Sequence, residues 1–386
     1  MPLLSRKKPL FSRRGLIALT WILPITILLL QLSGRQDPPQ LSIGWNASQQ
    51  LYFLDREGSN YRLDLILPQR PALSDNDWQT QALARAQLKA RLSAPALERW
   101  LKQQGWQLTA SNAGGYQVLQ FEMSSPPTAT AQEQLLALLN KPSPETAKAL
   151  LPELNARRYL ALQDPQTRLL AAFGEQLPAP PQISPAPRWS LIGPDLKLTQ
   201  DLAPSAEPHP PSAWQPGQRA IPPASAHTDT GWILVGEPLL APHDGTSLAQ
   251  QRFVAEAVAR LLPQLASDQA DYRWRWQPLI HGGYRVLLVH NWPPDSIPTG
   301  HTLAAALNES LLQSLRTELL ARFDQLLQTA PQQWLDLVAL YRLPLDSDAA
   351  FRDTLQQLTL TEARTLLTQI LGPEHRLTIR LTTTEP

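Results

Sequence analysis

The sequence predicts an α+β protein: two copies of one α+β module following a single N-terminal transmembrane helix. The main observation is a long-period repeat. Gly114-Gly115-Tyr116-Gln117-Val118-Leu119, closing with Pro126-Pro127, recurs about 168 residues later as Gly282-Gly283-Tyr284-Arg285-Val286-Leu287, closing with Pro293-Pro294. Each copy runs through an apolar strand (Leu63 to Leu67; Trp232 to Val235), a Pro, an acidic turn (Asp75; Asp244) and a helix of Ala, Leu, Gln and Arg, then two strands hinged at Gly-Gly. A repeat of domain size means two modules packed together, not a short-period solenoid. A length of 386 residues agrees, being too long for one ordinary core and comfortable for two.

Composition narrows the function classes. Hydrophobic content of 43% against 17% charged is globular. A net charge of +1 and a pI near 8.0 lack the concentrated basic footprint of a nucleic-acid partner. The absence of Cys excludes disulfides, a thiol nucleophile and Cys-ligated zinc together.

Residues 1–14 form a basic tail with Arg6, Lys7, Lys8, Arg13 and Arg14 and no acid. The apolar run Leu16 to Leu32, within an anchor placed at 15–33, can span about 25 Å of hydrocarbon as a helix, and the basic cluster stays cytoplasmic. A cleaved signal peptide is the rival, but the run is longer than a usual signal core and no A-x-A-like site follows Leu32. Ser12-Arg13-Arg14-Gly15-Leu16 resembles a twin-arginine signal with a greasier segment than such signals carry. The expected location is a bacterial inner membrane, with the body periplasmic.

A tether with Pro38-Pro39 leads into a first module at 41–175. Strands are expected at Leu41 to Trp45, Leu51 to Phe53 and Tyr61 to Leu67, the last alternating at period two. A helix follows from about Asp77 to Leu92, and another from a Ser93 cap, with Pro95 in its first turn, to Gln104. Trp106 to Ser111 and Tyr116 to Met123 make the Gly-Gly hairpin, and helices run from Thr128 to Phe173 with a break where Ser143 caps and Pro144 takes the first helical position. Residues 176–230 are so rich in Pro that they read as an extended strap between lobes, touching down at Trp189, Leu191, Ile192 and Trp214.

The second module, 231–386, has a helix at Thr246 to Leu265 and strands at Tyr272 to Gln277 and Tyr284 to His290. A long helix is expected from Leu303 to Gln328, with shorter ones at Pro331 to Tyr341 and Ala349 to Gln357. Thr359-Leu360-Thr361-Glu362 is a capping box, Gly372-Pro373 a stop, and Arg376 to Leu381 a closing strand.

At this ending the chain resembles a known family. The long helix, the Leu358-Thr359-Leu360-Thr361-Glu362-Ala363 start, the Leu371-Gly372-Pro373 stop and the terminal strand look like the closing half of a pitrilysin/insulinase-type metallopeptidase domain. Gln103-Gln104-Gly105-Trp106 running into Ser111-Asn112-Ala113 looks like that family's helix-Gly-strand segment. The resemblance covers roughly 41–170 and 231–386. It implies an inverted H-x-x-E-H helix, with two His on zinc, the Glu as general base and a further acidic ligand downstream.

The motif is absent here. The first 208 residues hold no His, and the corresponding helix reads Gln81-Ala82-Leu83-Ala84-Arg85-Ala86-Gln87. Its counterpart reads Phe253-Val254-Ala255-Glu256-Ala257, a Glu at the right offset flanked by residues that cannot ligate. The seven His, at 209, 227, 243, 281, 290, 301 and 375, show no paired ligand spacing, and no Ser sits in a nucleophile elbow near His243-Asp244-Gly245. No catalytic residue, metal ligand or cofactor is therefore assigned.

Tyr272-Arg273-Trp274-Arg275-Trp276 alternates aromatic and cationic residues, as a polymer-binding strand does, though a half-buried strand needs the same pattern. With Tyr116 and Tyr284 these aromatics form the candidate polypeptide or partner surface. The resemblance implies a non-catalytic pseudo-peptidase subunit that pairs with an active zinc peptidase of the same fold and helps hold extended polypeptide. A scaffolding protein of the cell envelope is the alternative, and an enzyme with an unrecognised site a third reading.

Overall fold

In the computed structural model the described residues are 41–382, apart from 59, 70–71, 114, 141–143, 179–187, 197, 203–213, 226–228, 268, 281 and 294–295. The basic tail, the apolar run, the Pro38-Pro39 tether and the Ser143 cap lie outside them. Among the described residues no helix is long and apolar enough to cross a membrane.

The first half comprises β1 (Ile43–Asn46), β2 (Leu51–Asp55), β3 (Tyr61–Pro68), α1 (Asp75–Leu92), α2 (Pro95–Gln104), β4 (Gln107–Ala113), β5 (Tyr116–Met123), α3 (Ala129–Leu139), α4 (Pro144–Ala161), α5 (Pro165–Gly174) and β6 (Arg188–Gly193). The second comprises β7 (Gly217–Ile221), β8 (Trp232–Leu239), α6 (Gly245–Leu265), β9 (Asp271–Gln277), β10 (Gly283–His290), α7 (Gly300–Ala306), α8 (Glu309–Thr329), α9 (Pro331–Tyr341), α10 (Ser347–Gln357), α11 (Leu360–Thr368) and β11 (Leu377–Leu381).

The strands make two sheets, in the orders β1-β2-β6-β3-β5-β4 and β7-β11-β8-β10-β9. Setting β1 aside, the orders correspond position by position, and so do the directions: β2 with β6 and β7 with β11 are the parallel pairs, and the other neighbours are antiparallel. The register corresponds as well. Pro68 faces Tyr116 across β3 and β5, and Pro238 faces Tyr284 across β8 and β10.

Each sheet is covered on both faces. In the first, Leu63, Leu65, Leu119, Phe121 and Trp189 pack against Leu88, Leu97 and Leu135 of the first-half helices. The opposite face, with Tyr52, Leu54 and Ile66, packs against second-half helices, chiefly α9. In the second sheet Val235, Leu287 and Val289 face α6 and its neighbours, while Leu234, Val286, Leu288 and Ile379 face Leu169, Leu170 and Phe173 of α5. Each half thus lends one Pro-initiated helix to the other's sheet. A fully buried Leu or Phe contributes about 1.5–3 kcal/mol, so these exchanged contacts hold the halves as one body.

Four expectations are corrected. The Pro-rich 176–230 is not only a strap: β6 is a central strand of the first sheet, with Ser190 and Leu191 buried, and β7 edges the second. Proline density hid a six-residue strand whose flanks alone carry the Pro. The single helix expected from Leu303 breaks at Leu307 and Asn308, both in extended backbone, because the Asn308 side-chain oxygen accepts from Leu311 N and caps α8 anew. Ser93 does not cap α2; its hydroxyl bonds back to Lys89 O, and α2 starts after Ala94 without a side-chain cap. Ser74 caps α1, so that helix begins at Asp75, two residues before the expected start.

Candidate functional site

The helices that the resemblance sets at the family's zinc helix are α1 and α6. Ser74 caps α1 and Asp244 caps α6, each side chain accepting from the backbone N–H three residues on. Counting from these caps sets Leu83, Ala86 and Gln87 opposite Phe253, Glu256 and Ala257. Phe253 and Ala257 are wholly buried in the core, and Glu256 leaves it to pair with Arg322 of α8 at 3.1 Å. In α1 the polar side chains one turn apart, Gln81 and Arg85, both reach Gln69 Oε1, at 3.3 and 2.9 Å. A guanidinium stands there, and it repels a metal ion. A zinc site of the H-x-x-E-H type does not fit these residues, and among the described residues no three His, Cys, Asp or Glu side chains come together.

The aromatic candidates do not form one surface. Tyr272, Trp274 and Trp276 share the helix-covered face of β9, half-buried against the core, with Tyr272 against Trp292. Arg273 and Arg275 are the exposed row. Tyr284 lies on the opposite face, 7% exposed and packed on Phe173 of α5. Tyr116 belongs to the other sheet, its hydroxyl pushed up to about 12 by burial and by the nearby carboxyls of Asp336 and Asp64. Close neighbours alternate faces along a strand, and the repeat placed its two tyrosines in different sheets. What the sheets offer at their ends is backbone: β4 ends the first and β9 the second, so each carries an edge of N–H and C=O groups outside the ladder. The hairpin tips meet, Gly115 with φ +111° lying where a Cβ would come 2.5 Å from Leu279 Cδ2.

The strongest polar feature was not anticipated from sequence. Between the first sheet and α9 lie Asp64 of β3, Ser190 of β6, and Gln332 and Asp336 of α9, all at most 5% exposed. Ser190 Oγ donates to Asp336 Oδ1 at 2.6 Å. The Gln332 amide nitrogen lies 3.0 Å from Asp336 Oδ1, 3.2 Å from Asp64 Oδ2 and 2.9 Å from Ser190 Oγ. Arg62, two residues along β3, grips Asp64 with Nε and Nη2 at 2.8–3.1 Å. Burial, then repulsion from Asp64, raises the Asp336 carboxyl to about 8. Burial pushes Asp64 up too, opposed by its bonds to Arg62. Two carboxyls so placed cannot both ionise cheaply: Asp64, held by Arg62, is the carboxylate and Asp336 keeps the proton. The signal for this site was an Asp inside an apolar strand, Leu63-Asp64-Leu65, and another inside an apolar helix, Leu335-Asp336-Leu337.

No protein-family model and no curated protein matches the sequence. Solved structures do match in fold. A peptidase M16 inactive domain from Pseudomonas fluorescens aligns at TM-score 0.55 and 14% identity, over 90% of this chain and 100% of that one. A putative M16-like peptidase from Alicyclobacillus acidocaldarius aligns at 0.53 and 11%, over 90% and 99%. The periplasmic protease PqqL from Escherichia coli aligns at 0.51 and 13%, over 90% of this chain and 47% of that one, so this chain spans about half its length. The architecture is that of M16-like peptidase domains, the fold of the pitrilysin/insulinase type that the sequence resembles.

Proposed function

From the M16-like fold, we propose that the chain is a non-catalytic periplasmic protein, anchored in the inner membrane by its apolar N-terminal run, that pairs with an active zinc peptidase of the same fold and helps it hold extended polypeptide. One observation carries this reading: both helices that would hold the zinc motif carry side chains that cannot bind zinc, Leu83, Ala86 and Gln87 in one, and buried Phe253 and Ala257 around an ion-paired Glu256 in the other.

The halves are two copies of one module, a reading supported by their matching strand orders and Pro–Tyr registers. This chain spans about half the length of PqqL. A chain with one pair and no zinc ligands at the H-x-x-E-H positions supplies shape, and a partner supplies chemistry. The free edges of β4 and β9 suit an extended peptide added as a further strand, which needs backbone groups and few side chains.

Cross-linking in native membranes followed by mass spectrometry tests the pairing. A zinc peptidase of the same fold, with an intact H-x-x-E-H, is the expected partner. Recovery of cell-wall or division proteins, or of the chain alone, would move the reading to an envelope scaffold.

A further inference from the structure

The cluster of Asp64, Ser190, Gln332 and Asp336 has a counterpart that keeps a buried Gln and carries aliphatic side chains at the other three positions. α9 lies on β2, β3 and β6 of the first sheet, and α5 lies on β8 and β11 of the second. Both helices open on Pro, Pro331 and Pro165, and the next residue in each is a buried Gln, Gln332 and Gln166. Five residues after the Pro stand Asp336 in α9 and Leu170 in α5. In the strands, four residues before Pro68 and Pro238 stand Asp64 and Leu234. Asp64 faces Ser190 across the ladder, and Leu234 faces Ile379. The polar triad Asp64, Ser190 and Asp336 therefore corresponds to Leu234, Ile379 and Leu170, which pack together in one apolar cluster.

The same helix-on-sheet contact closes with three aliphatic side chains, so the architecture does not require polar groups there. Two buried carboxyls are costly in such a place, and swapping a buried charged set for apolar residues is often neutral or stabilising. What the polar set adds is discrimination and proton dependence. If α5 lay on the first sheet, Leu170 would leave the Ser190 hydroxyl without its carboxylate acceptor, and Asp64 would keep Arg62. If α9 lay on the second, Asp336 would face Leu234 and Ile379.

We propose that Asp64, Ser190, Gln332 and Asp336 form a proton-dependent lock, which holds helix α9 of the second half on the sheet of the first while the two carboxyls share one proton and loosens that contact when the proton is lost. The charged and titratable groups around it are few. Arg62 on β3 is the cation in contact, already committed to Asp64 and only a third exposed. Glu122 on β5 is the cross-strand neighbour of Arg62 and adds negative potential there. Tyr116 on β5 stays neutral, held up by burial. Arg188 on β6 gives its guanidinium to Ala339 and Leu340 carbonyls at the end of α9, and burial and Arg342 lower its own affinity for a proton. Losing the shared proton thus leaves two buried carboxylates on one guanidinium.

The direction in pH follows from linkage. A carboxyl held near 8 in the folded protein and near 4 unfolded keeps its proton longer when folded, so its stabilising effect is full below about pH 4, declines as pH rises, and is gone above about 8.

The test uses the full-length protein in detergent. Denaturant unfolding is followed at pH 5.5, 7, 8 and 9 for the wild type, for Asp336→Asn, which keeps an acceptor for Ser190 but has no proton to lose, and for the triple change Asp64→Leu, Ser190→Ile, Asp336→Leu. The wild-type unfolding constant should rise relative to either variant by about tenfold per pH unit up to about pH 8, then run parallel. Hydrogen exchange, corrected for intrinsic rates, should show protection of residues 331–341 falling against that of 165–174 over the same range. Equal pH dependence in wild type and variants would overturn the lock. Should both variants fail to fold, a constant wild-type ratio of α9 to α5 protection from pH 5.5 to 9 would overturn it, and a falling ratio would support it.

Discussion

Glu237 shows how a single side chain ties remote pieces of this chain together. On β8 it is 3% exposed, faces Arg285 across the ladder to β10, and its Oε1 accepts both from Arg285 Nε at 2.5 Å and from the Leu371 N–H at 2.8 Å. Leu371 sits at positive φ, 51°, in the turn that ends the last helical segment, so the carboxylate fixes a strained backbone as well as a charge. Glu237→Gln keeps an oxygen but strands the Arg285 guanidinium in a site where burial already lowers its proton affinity. Removing one partner of a buried pair costs about 3–5 kcal/mol. Urea unfolding followed by tryptophan fluorescence should show a loss of that order, and an unchanged midpoint would show that the pair is not buried as described. In the sequence Glu237 and Asp64 each stand out as a lone acid in an apolar strand, but what each does depends on a residue far along the chain. Gln332 and Asp64 are separated by 268 positions.

At the scale of elements, legibility followed the range of the interactions. The capping box at Thr359 and Glu362, the Pro start of α9, and the hairpin flanking Gly115 depend on residues a few positions apart, and all were readable, whereas the break before α5 at Asp164 was not. β6 was not, because its identity as a strand comes from β2 and β3 on either side, over a hundred positions upstream. The break between α7 and α8 was obscured by apolar periodicity running through it, although Asn308 is a strong local cap. Asn308→Ala should cost about 1 kcal/mol, measured as a shift in the denaturation midpoint, and no shift would mean the cap is dispensable. The exchanged helices are more demanding. Phe173 of α5 is wholly buried against Tyr284, and Trp334 of α9 is 1% exposed between Phe323 and Phe351. Phe173→Ala and Trp334→Ala should each destabilise by about 3–5 kcal/mol, and in a single cooperative transition if each helix joins the two halves. A separate early transition in either variant would show that the halves unfold independently.

The whole molecule keeps an M16-like architecture without the H-x-x-E-H residues. The Phe253 and Ala257 positions are filled by the core, so restoring ligands there would cost packing before it created a site. Among the described residues His290 is the imidazole held by a carboxylate at hydrogen-bond distance, its Nε2 2.7 Å from Asp229 Oδ2 and its ring stacked on Trp232 at 4.8 Å. Its strand also pairs with β8 and β9, so the ring belongs to a sheet end, and among the described residues no group of three His, Cys, Asp or Glu that could hold a metal forms around it. Purified protein should therefore carry far less than one zinc per chain by elemental analysis and should leave an unstructured peptide uncut. The same peptide should be bound, since the β4 and β9 edges need only its backbone. One tightly held zinc per chain would overturn the non-catalytic reading and direct mutagenesis to His290 and Asp229. Absent zinc together with absent peptide binding would remove the polypeptide-holding role and leave the partner interface as the remaining use of the two-sheet body.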